Sequence, residues 1–350
     1  MIPDPQPGAR GRAWWCGFLK PRARLGGLLE VVGAAMAVAT VAGFFGHSWW
    51  VLDLAAHFRV QYAAGLLLLA LGSLGMRCWR RALLWGALGM LNAGLVAPAF
   101  RVSAQAIEAA GPRLRLVLTN VHTANRRFED LLALVRETAP DLLLLVEVDD
   151  AWMRALEPLA PEYPWRVASP RSDNFGIAFF SRIPLADVRV LEIGPAEVPS
   201  VLASFDWQGR SVTLLGTHPL PPISADYAAA RDGQLAAAAR LLAEANGPRI
   251  LLGDLNTSPW GHAFHDLVRT SGLRDTAEGW GWQPTWPAHN LLLRLPLDHA
   301  LISSDWVVLR RTVGPSLGSD HFPLILDLGF EEVASVRPAL LSRRSPVKAE

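Results

Sequence analysis

Cysteine is nearly absent from these 350 residues: Cys16 and Cys78 are the only two. The last two-thirds of the chain therefore has no thiol to pair and no thiolate to hold zinc. Lysine is equally scarce, with Lys20 and Lys348 alone, so arginine carries almost all the positive charge. Between Pro112 and Leu328 there are 19 arginines against 25 acidic residues, so this part has no global basic footprint for nucleic acid. That counts only weakly against a nuclease, because a local patch on an acidic metal enzyme still binds a polyanion. An HExxH motif is missing too, which with the missing thiols disfavours the common zinc hydrolases. No internal repeat or low-complexity tract is present.

What the N-terminal third lacks is charge. Leu25 to Gly46 contains only Glu30, Val60 to Met76 contains none, and Ala82 to Phe100 contains none. Each run approaches the ~20 residues needed to cross ~30 Å of hydrocarbon, the second being short enough to need its flanks. Trp49, Trp50, Trp79 and Trp85 lie near the ends, where indole favours the headgroup region. A buried soluble bundle is disfavoured, since such segments have almost no polar face for water. Cleavage of the first run as a signal peptide would still leave two apolar runs as anchors. Without intramembrane charge pairs, the runs give little support for a conduction path.

Arg and Lys set the expected orientation. Arg10, Arg12, Lys20, Arg22 and Arg24 precede the first run, and Arg77, Arg80 and Arg81 lie between the second and third. The loop from His47 to Arg59 has only Arg59, at its far edge. The N terminus and second loop are thus expected in the cytoplasm, with everything after Phe100 outside it. The expected organisation is a cytoplasmic basic N terminus (1–24), a three-helix transmembrane region (25–101), a linker (102–112), a catalytic domain (113–329) and a flexible tail (330–350). This is a multi-pass protein of the inner (cytoplasmic) membrane with an extracytoplasmic domain, and the lipid bilayer is its first partner.

After the linker, period-two apolar runs alternate with helical ones. Strands are expected at 114–120, 142–148, 176–180, 188–192, 201–207, 211–217, 249–252, 300–303 and 324–328. Helices are expected at 128–138, 225–245 and 263–271. Two runs of sheet with helices outside imply an α/β sandwich. Several strands end on a polar group: Asn120 closes LRLVLTN, Glu147 sits in LLLLVEVD, His218 follows GT, Asp254 and Asn256 lie in GDLN, Asp298 and His299 in PLDH, and Ser319, Asp320 and His321 in GSDH. Any one of these is weak, because a lone Glu is most often structural and DLN before Ser-Pro is good helix-capping chemistry.

Together and in this order, the pieces LTNV, LLLLVEVD, FGIAFFSRIP, GTHP, LLGDLNTSP, PTWP, PLDHALIS and GSDHFPL resemble the endonuclease/exonuclease/phosphatase superfamily, in a bacterial membrane-anchored branch. They span Leu114 to Leu328. The resemblance implies a four-layer DNase I-like α/β sandwich, preceded by about three transmembrane helices, and a divalent-metal-dependent phosphoesterase. It implies Glu147 as the metal carboxylate, with Asn120 and Asp320 completing or flanking the shell, for Mg²⁺ or else Mn²⁺ or Ca²⁺. It also implies Asp254 in water activation or proton transfer, Asn256 orienting the scissile phosphate and His218 donating to a non-bridging oxygen. His321 would contact phosphate or shuttle a proton, with Asp298 fixing its tautomer. Which group is the base stays open.

Asn174 and Arg182 read better as a turn and a strand-end salt bridge than as site residues. His299 is expected to pack within the sheet and Ser319 to position the SDH turn. Of Trp260, Trp280, Trp282 and Trp286, two or three fill core volume and the others line a substrate rim. The substrate is a phosphate ester: nucleic acid, a phospholipid headgroup or a small ester. The acidic balance and tether tilt it slightly toward the membrane or beyond. The rival is a catalytically inactive membrane-bound interaction module of the same fold, opposed by the completeness of the set.

Overall fold

The computed structural model describes residues 25–101 and 112–330. The expected basic N terminus, the linker apart from Pro112 and the tail apart from Phe330 lie outside the described residues.

The N-terminal region begins with α1 (Leu25–Ala42), which runs into a 3₁₀ turn at Gly43–Ser48. Then come α2 (Trp50–Ala56), α3 (Arg59–Gly75) and α4 (Trp79–Phe100). Among the described residues two helices, Gly27–Ser48 and Trp79–Phe100, are long and apolar enough to cross a bilayer, and a third counts if α2 and α3, bent by 61°, form one unit. Leu66, Ala70 and Trp85 join the bundle's interior, while its outside exposes aliphatic side chains such as Leu68 and Leu83. Arg59 is not an exposed loop residue. It opens α3 and is buried, with Nη1 donating to Thr40 O (2.8 Å) and Asn92 Oδ1 (3.1 Å). Asn92 Nδ2 in turn donates to Thr40 Oγ1 at 2.9 Å. Arg81 pairs with Glu30 at the opposite end of the bundle.

The second region has two six-stranded mixed sheets. The first uses β1 (Leu114–Asn120), β2 (Leu142–Val146), β3 (Trp165–Ser169), β4 (Ile177–Ser181), β11 (Trp306–Val313) and β12 (Leu324–Phe330), in the order β11-β12-β1-β2-β4-β3. The second uses β5 (Leu185–Glu192), β6 (Pro199–Trp207), β7 (Arg210–Thr217), β8 (Arg249–Asp254), β9 (Arg274–Asp275) and β10 (Asp298–Ile302), in the order β5-β6-β7-β8-β10-β9. Leu116, Leu144, Phe179, Val201, Leu214 and Leu252 belong to the core between the sheets. α5 (Phe128–Thr138) and α6 (Asp150–Ala155) cover the first sheet, and α7 (Ala225–Glu244) and α8 (His262–Ser271) cover the second. This is the four-layer α/β sandwich. β2, LLLLV, is buried throughout, as a central strand covered on both faces requires.

All nine expected strands and all three expected helices are present, with ends shifted by a few residues. α6 and strands β3, β9 and β11 were not anticipated. β3 is a partly exposed edge strand and β9 has only two residues, so neither carries a clear alternation.

Candidate active site

The site forms where paired strands stop together. Asn120 is opposite Val146 in the parallel pair β1–β2, so Glu147 emerges one residue beyond. Asp298 is opposite Asp254 in the antiparallel pair β8–β10, which sets two buried carboxylates side by side. His218 follows the end of β7, parallel to β8. Close backbone approach makes this possible: a Cβ at Gly253 would overlap the Thr217 carbonyl oxygen, and one at Gly176 would overlap that of Val148. His122, Glu147, Asn174 and Asn256 all have positive φ (59°, 62°, 69° and 49°), a cost borne where the chain turns its side chains toward one end of the sandwich.

The side chains connect in a chain of contacts. Asn120 Nδ2 donates to Glu147 Oε1 (2.8 Å) and to Asp254 Oδ2 (3.1 Å), bridging the two sheets. Its Oδ1 accepts from the His122 N–H at 3.0 Å. His321 Nδ1 lies 2.7 Å from Asp298 Oδ2, and its Nε2 lies 3.4 Å from Asp254 Oδ2. Burial alone would keep His321 neutral, but the carboxylates of Asp298 and Asp254 outweigh it and push its pKa up. Burial pushes the Asp254 carboxyl up as well, against the pull of the His321 and His218 imidazoles. Asp320 accepts from Trp286 Nε1 (3.0 Å) and contacts His122 Nδ1 (3.1 Å). Burial works against the Asp320 charge, yet His321, Trp286 and His122 hold the carboxyl below its usual range.

Two geometries refine the expected roles. His218 Nδ1 faces the Asp254 carbonyl at 3.1 Å, so it carries the proton, and Nε2, 3.7 Å from Glu147, can donate only if the ring is cationic. Asn256 spends one Nδ2–H on Pro219 O at 3.0 Å and lines the cavity. Ser319 Oγ donates to Asn120 O and accepts from the His321 N–H, tying the SDH turn to β1. His299 packs on Phe264, with Nε2 on Thr257 O. Arg182 pairs with Glu162 and lies over Tyr163, a structural pairing. Asn174 makes its turn and also lines the cavity. Of the four tryptophans, Trp286 is at the site. Trp260 and Trp282 stack at 5.9 Å beside a separate cavity of about 470 Å³ against the end of α4.

The oxygen donors of Glu147, Asp254 and Asp320 line one cavity of about 750 Å³. Hard carboxylate oxygens without thiolate suit Mg²⁺, Mn²⁺ or Ca²⁺. Donor atoms of Asp254, Asp298 and His321 also lie within 4.8 Å of one another. The 2.7 Å His321–Asp298 hydrogen bond makes that trio a proton-holding array more naturally than a ligand shell.

The sequence reading missed one wall of this cavity. Trp50, Leu54, His57 and Phe58 line it from the segment read as an inter-span loop. His57 Nδ1 is 2.8 Å from Ser258 Oγ, directly after the GDLN turn. Asp53 pairs with Arg231 (3.0 Å) and His262 (2.9 Å). The signal was present as three polar residues, Asp53, His57 and Arg59, crowded between apolar runs.

The Endonuclease/Exonuclease/phosphatase family profile matches residues 117–321. The chain belongs to that family. Its fold is similar to that of a humanized D. rerio TDP2 (TM-score 0.53, 17% identity, 62% of this chain and 99% of that one). It is similar to the human Nocturnin catalytic domain with bound sulfate anion (0.53, 18%, 63% and 95%). It also resembles an endonuclease/exonuclease/phosphatase from Beutenbergia cavernae DSM 12333 (0.52, 22%, 63% and 72%). No curated protein matches the chain. Family members of this kind are typically hydrolases of phosphate esters that use divalent metals, and the donor set here is compatible with that chemistry.

Proposed function

We propose that this family member is a membrane-anchored, divalent-metal-dependent phosphodiesterase, with α1, α3 and α4 in the inner membrane and the sandwich outside the cytoplasm. The observation that carries the catalytic reading is the continuous contact chain Glu147–Asn120–Asp254–His321–Asp298 at the wall of one cavity. The anchoring reading is supported by apolar faces that no described residue covers, Leu83 being 72% exposed. It is also supported by placement: the 3₁₀ turn after α1 and the end of α4 both meet the sandwich, and the Arg81–Glu30 pair lies at the other end of those helices. Gly281 N–H donates to Ala99 O (2.7 Å), and His47 lies 3.8 Å from Asp266. That matches an arginine-rich cytoplasmic end.

A phosphodiester resists water because its anionic oxygens repel a nucleophile. Glu147, flanked by Asp320 and oriented by Asn120, would hold Mg²⁺ or Mn²⁺, which when bound neutralises those oxygens and the charge gained in the transition state. Asp254 aligns the attacking water or takes its proton. His321, its Nδ1–H held by Asp298, presents Nε2 to Asp254 and to the phosphate. The Asn256 amide donates to a non-bridging oxygen, as does His218 Nε2 when both ring nitrogens carry protons. Hydrolysis adds the hydroxyl of water to phosphorus and releases the alcohol with a proton.

The test is Glu147→Gln in the full chain, in detergent, with Mg²⁺ and a bis-aryl phosphate. Turnover should fall by about a thousandfold, with no change in the unfolding midpoint without metal. Wild-type turnover that survives chelation, or a variant as active as the wild type, overturns the metal role. No turnover by the wild type with any divalent metal supports instead the inactive interaction module.

A further inference from the structure

The cavity that contains Glu147, Asp254 and His321 is not built by the sandwich alone. Its polar end is carboxylate and imidazole. Its opposite wall is apolar, with Trp50, Leu54 and Phe58 from the segment between α1 and α3, and Ile223 from the loop after His218. The wall is also fixed in place: His57 is bonded to Ser258, and Asp53 to Arg231 and the N terminus of α8.

A second feature lies on the same side. The loop from Trp286 to Leu297 starts at Asp320 and the cavity and runs toward α3, where Gln61 Nε2 donates to Arg294 O at 2.9 Å. At its tip Leu291, Leu292 and Leu293 are 73%, 78% and 49% exposed, and Ile223 is 73% exposed. Three consecutive leucines turned to water are an error in a soluble enzyme. Beside the first turns of α3 they lie at the level where an apolar rim dips among headgroups and acyl chains.

Resting on the phosphodiesterase reading above, we infer that the substrate is a phosphate ester carried by a bilayer lipid. The phosphate enters the carboxylate–imidazole end while acyl chains lie along the Trp50–Phe58 wall and the rim of Leu291–Leu293. The bond broken is phosphorus to oxygen in a lipid headgroup, and water supplies the hydroxyl that the phosphorus retains and the proton that leaves with the alcohol.

The test uses the full chain in mixed micelles with Mg²⁺. The probes are dioleoyl phosphatidylglycerol, phosphatidylethanolamine and phosphatidylcholine, each against its own deacylated headgroup diester, with plasmid DNA and a bis-aryl phosphate alongside. Each pair has the same phosphodiester and differs only in acyl chains. At least one lipid should exceed its headgroup diester in kcat/KM by about tenfold or more, because buried methylenes add binding that the headgroup cannot. In the triple variant Leu291→Ser, Leu292→Ser and Leu293→Ser, that ratio should fall by about tenfold. Turnover of the bis-aryl phosphate or DNA with no lipid preferred over its headgroup overturns this inference and leaves the phosphodiesterase reading standing. An unchanged ratio in the triple variant overturns the rim's role. Failure on every probe with every metal overturns the phosphodiesterase reading and this one with it.

Discussion

Two buried ionic arrays in this molecule use the same residue types to different ends. Asp254 and His321 lie within the sandwich at the wall of the cavity, with Asp298 buried behind His321. Asp53, Arg231, His262 and Asp232 lie where α2 meets α7 and α8. Each sets an imidazole between carboxylates. Only the second includes an arginine, whose permanent charge neutralises Asp53 and leaves no acid–base pair poised to act. The first leaves its proton in a carboxylate–imidazole chain beside an open space. A buried His–Asp contact is thus no marker of catalysis by itself, and the neighbouring cation decides.

The largest effect expected from breaking this contrast is in the first array. Asp298→Asn should lower kcat by about a hundredfold or more with little change in KM, because His321 loses the group that fixes its Nδ1–H. Steady-state kinetics on the bis-aryl phosphate reads this out, and a wild-type kcat would remove Asp298 from the mechanism. In the second array, Arg231→Met should cost about 1.5–3 kcal/mol of stability, because buried Asp53 loses one of its two cationic partners and keeps only His262. Denaturant unfolding of the full chain measures it, and adding Asp53→Leu should restore most of the loss. A kcat defect without a stability defect would give this array a part in the chemistry.

The smallest effect is pH dependence at the junction. Hydrogen bonds that the His262 ring donates to the Asp232 and Asp53 carboxylates raise its pKa to about 9, with Arg231 and the His47 ring also nearby. A raised histidine contributes stability that is complete below its unfolded value of 6.5 and is lost as pH rises through about 9. Protease cleavage between α2 and α3 should therefore become faster as pH rises from about 6.5 to about 9. A His262→Gln variant should be less protected at pH 7 and show no such rise. Equal cleavage rates across that range in the wild type would show that His262 does not secure α2.

The sandwich was legible because each of its central strands both reads apolar and stops on a functional group. β2, from Leu142, gives its identity in five letters, and Glu147 follows it. Asp254 and Asp298 stood in separate motifs, and only the β8–β10 register shows them as neighbours. What was not legible was the side of the site made by Trp50 to Phe58. Those residues lie more than 80 positions from Glu147 in a stretch whose composition resembles a short loop, and helix α2 is too short to announce itself by periodicity. Asp53 gains its meaning from Arg231 and His262, contacts 178 and 209 residues away.

The wall supplied by Trp50, Leu54, His57 and Phe58 also bears on how this protein should be handled. A fragment beginning near Pro112 is the natural piece to express, because it omits every apolar run and keeps every motif. It would also have a site open on one flank, with Ser258 and Arg231 stripped of His57 and Asp53. Substrate preference measured on such a fragment would describe a wider, more permissive enzyme than the intact chain.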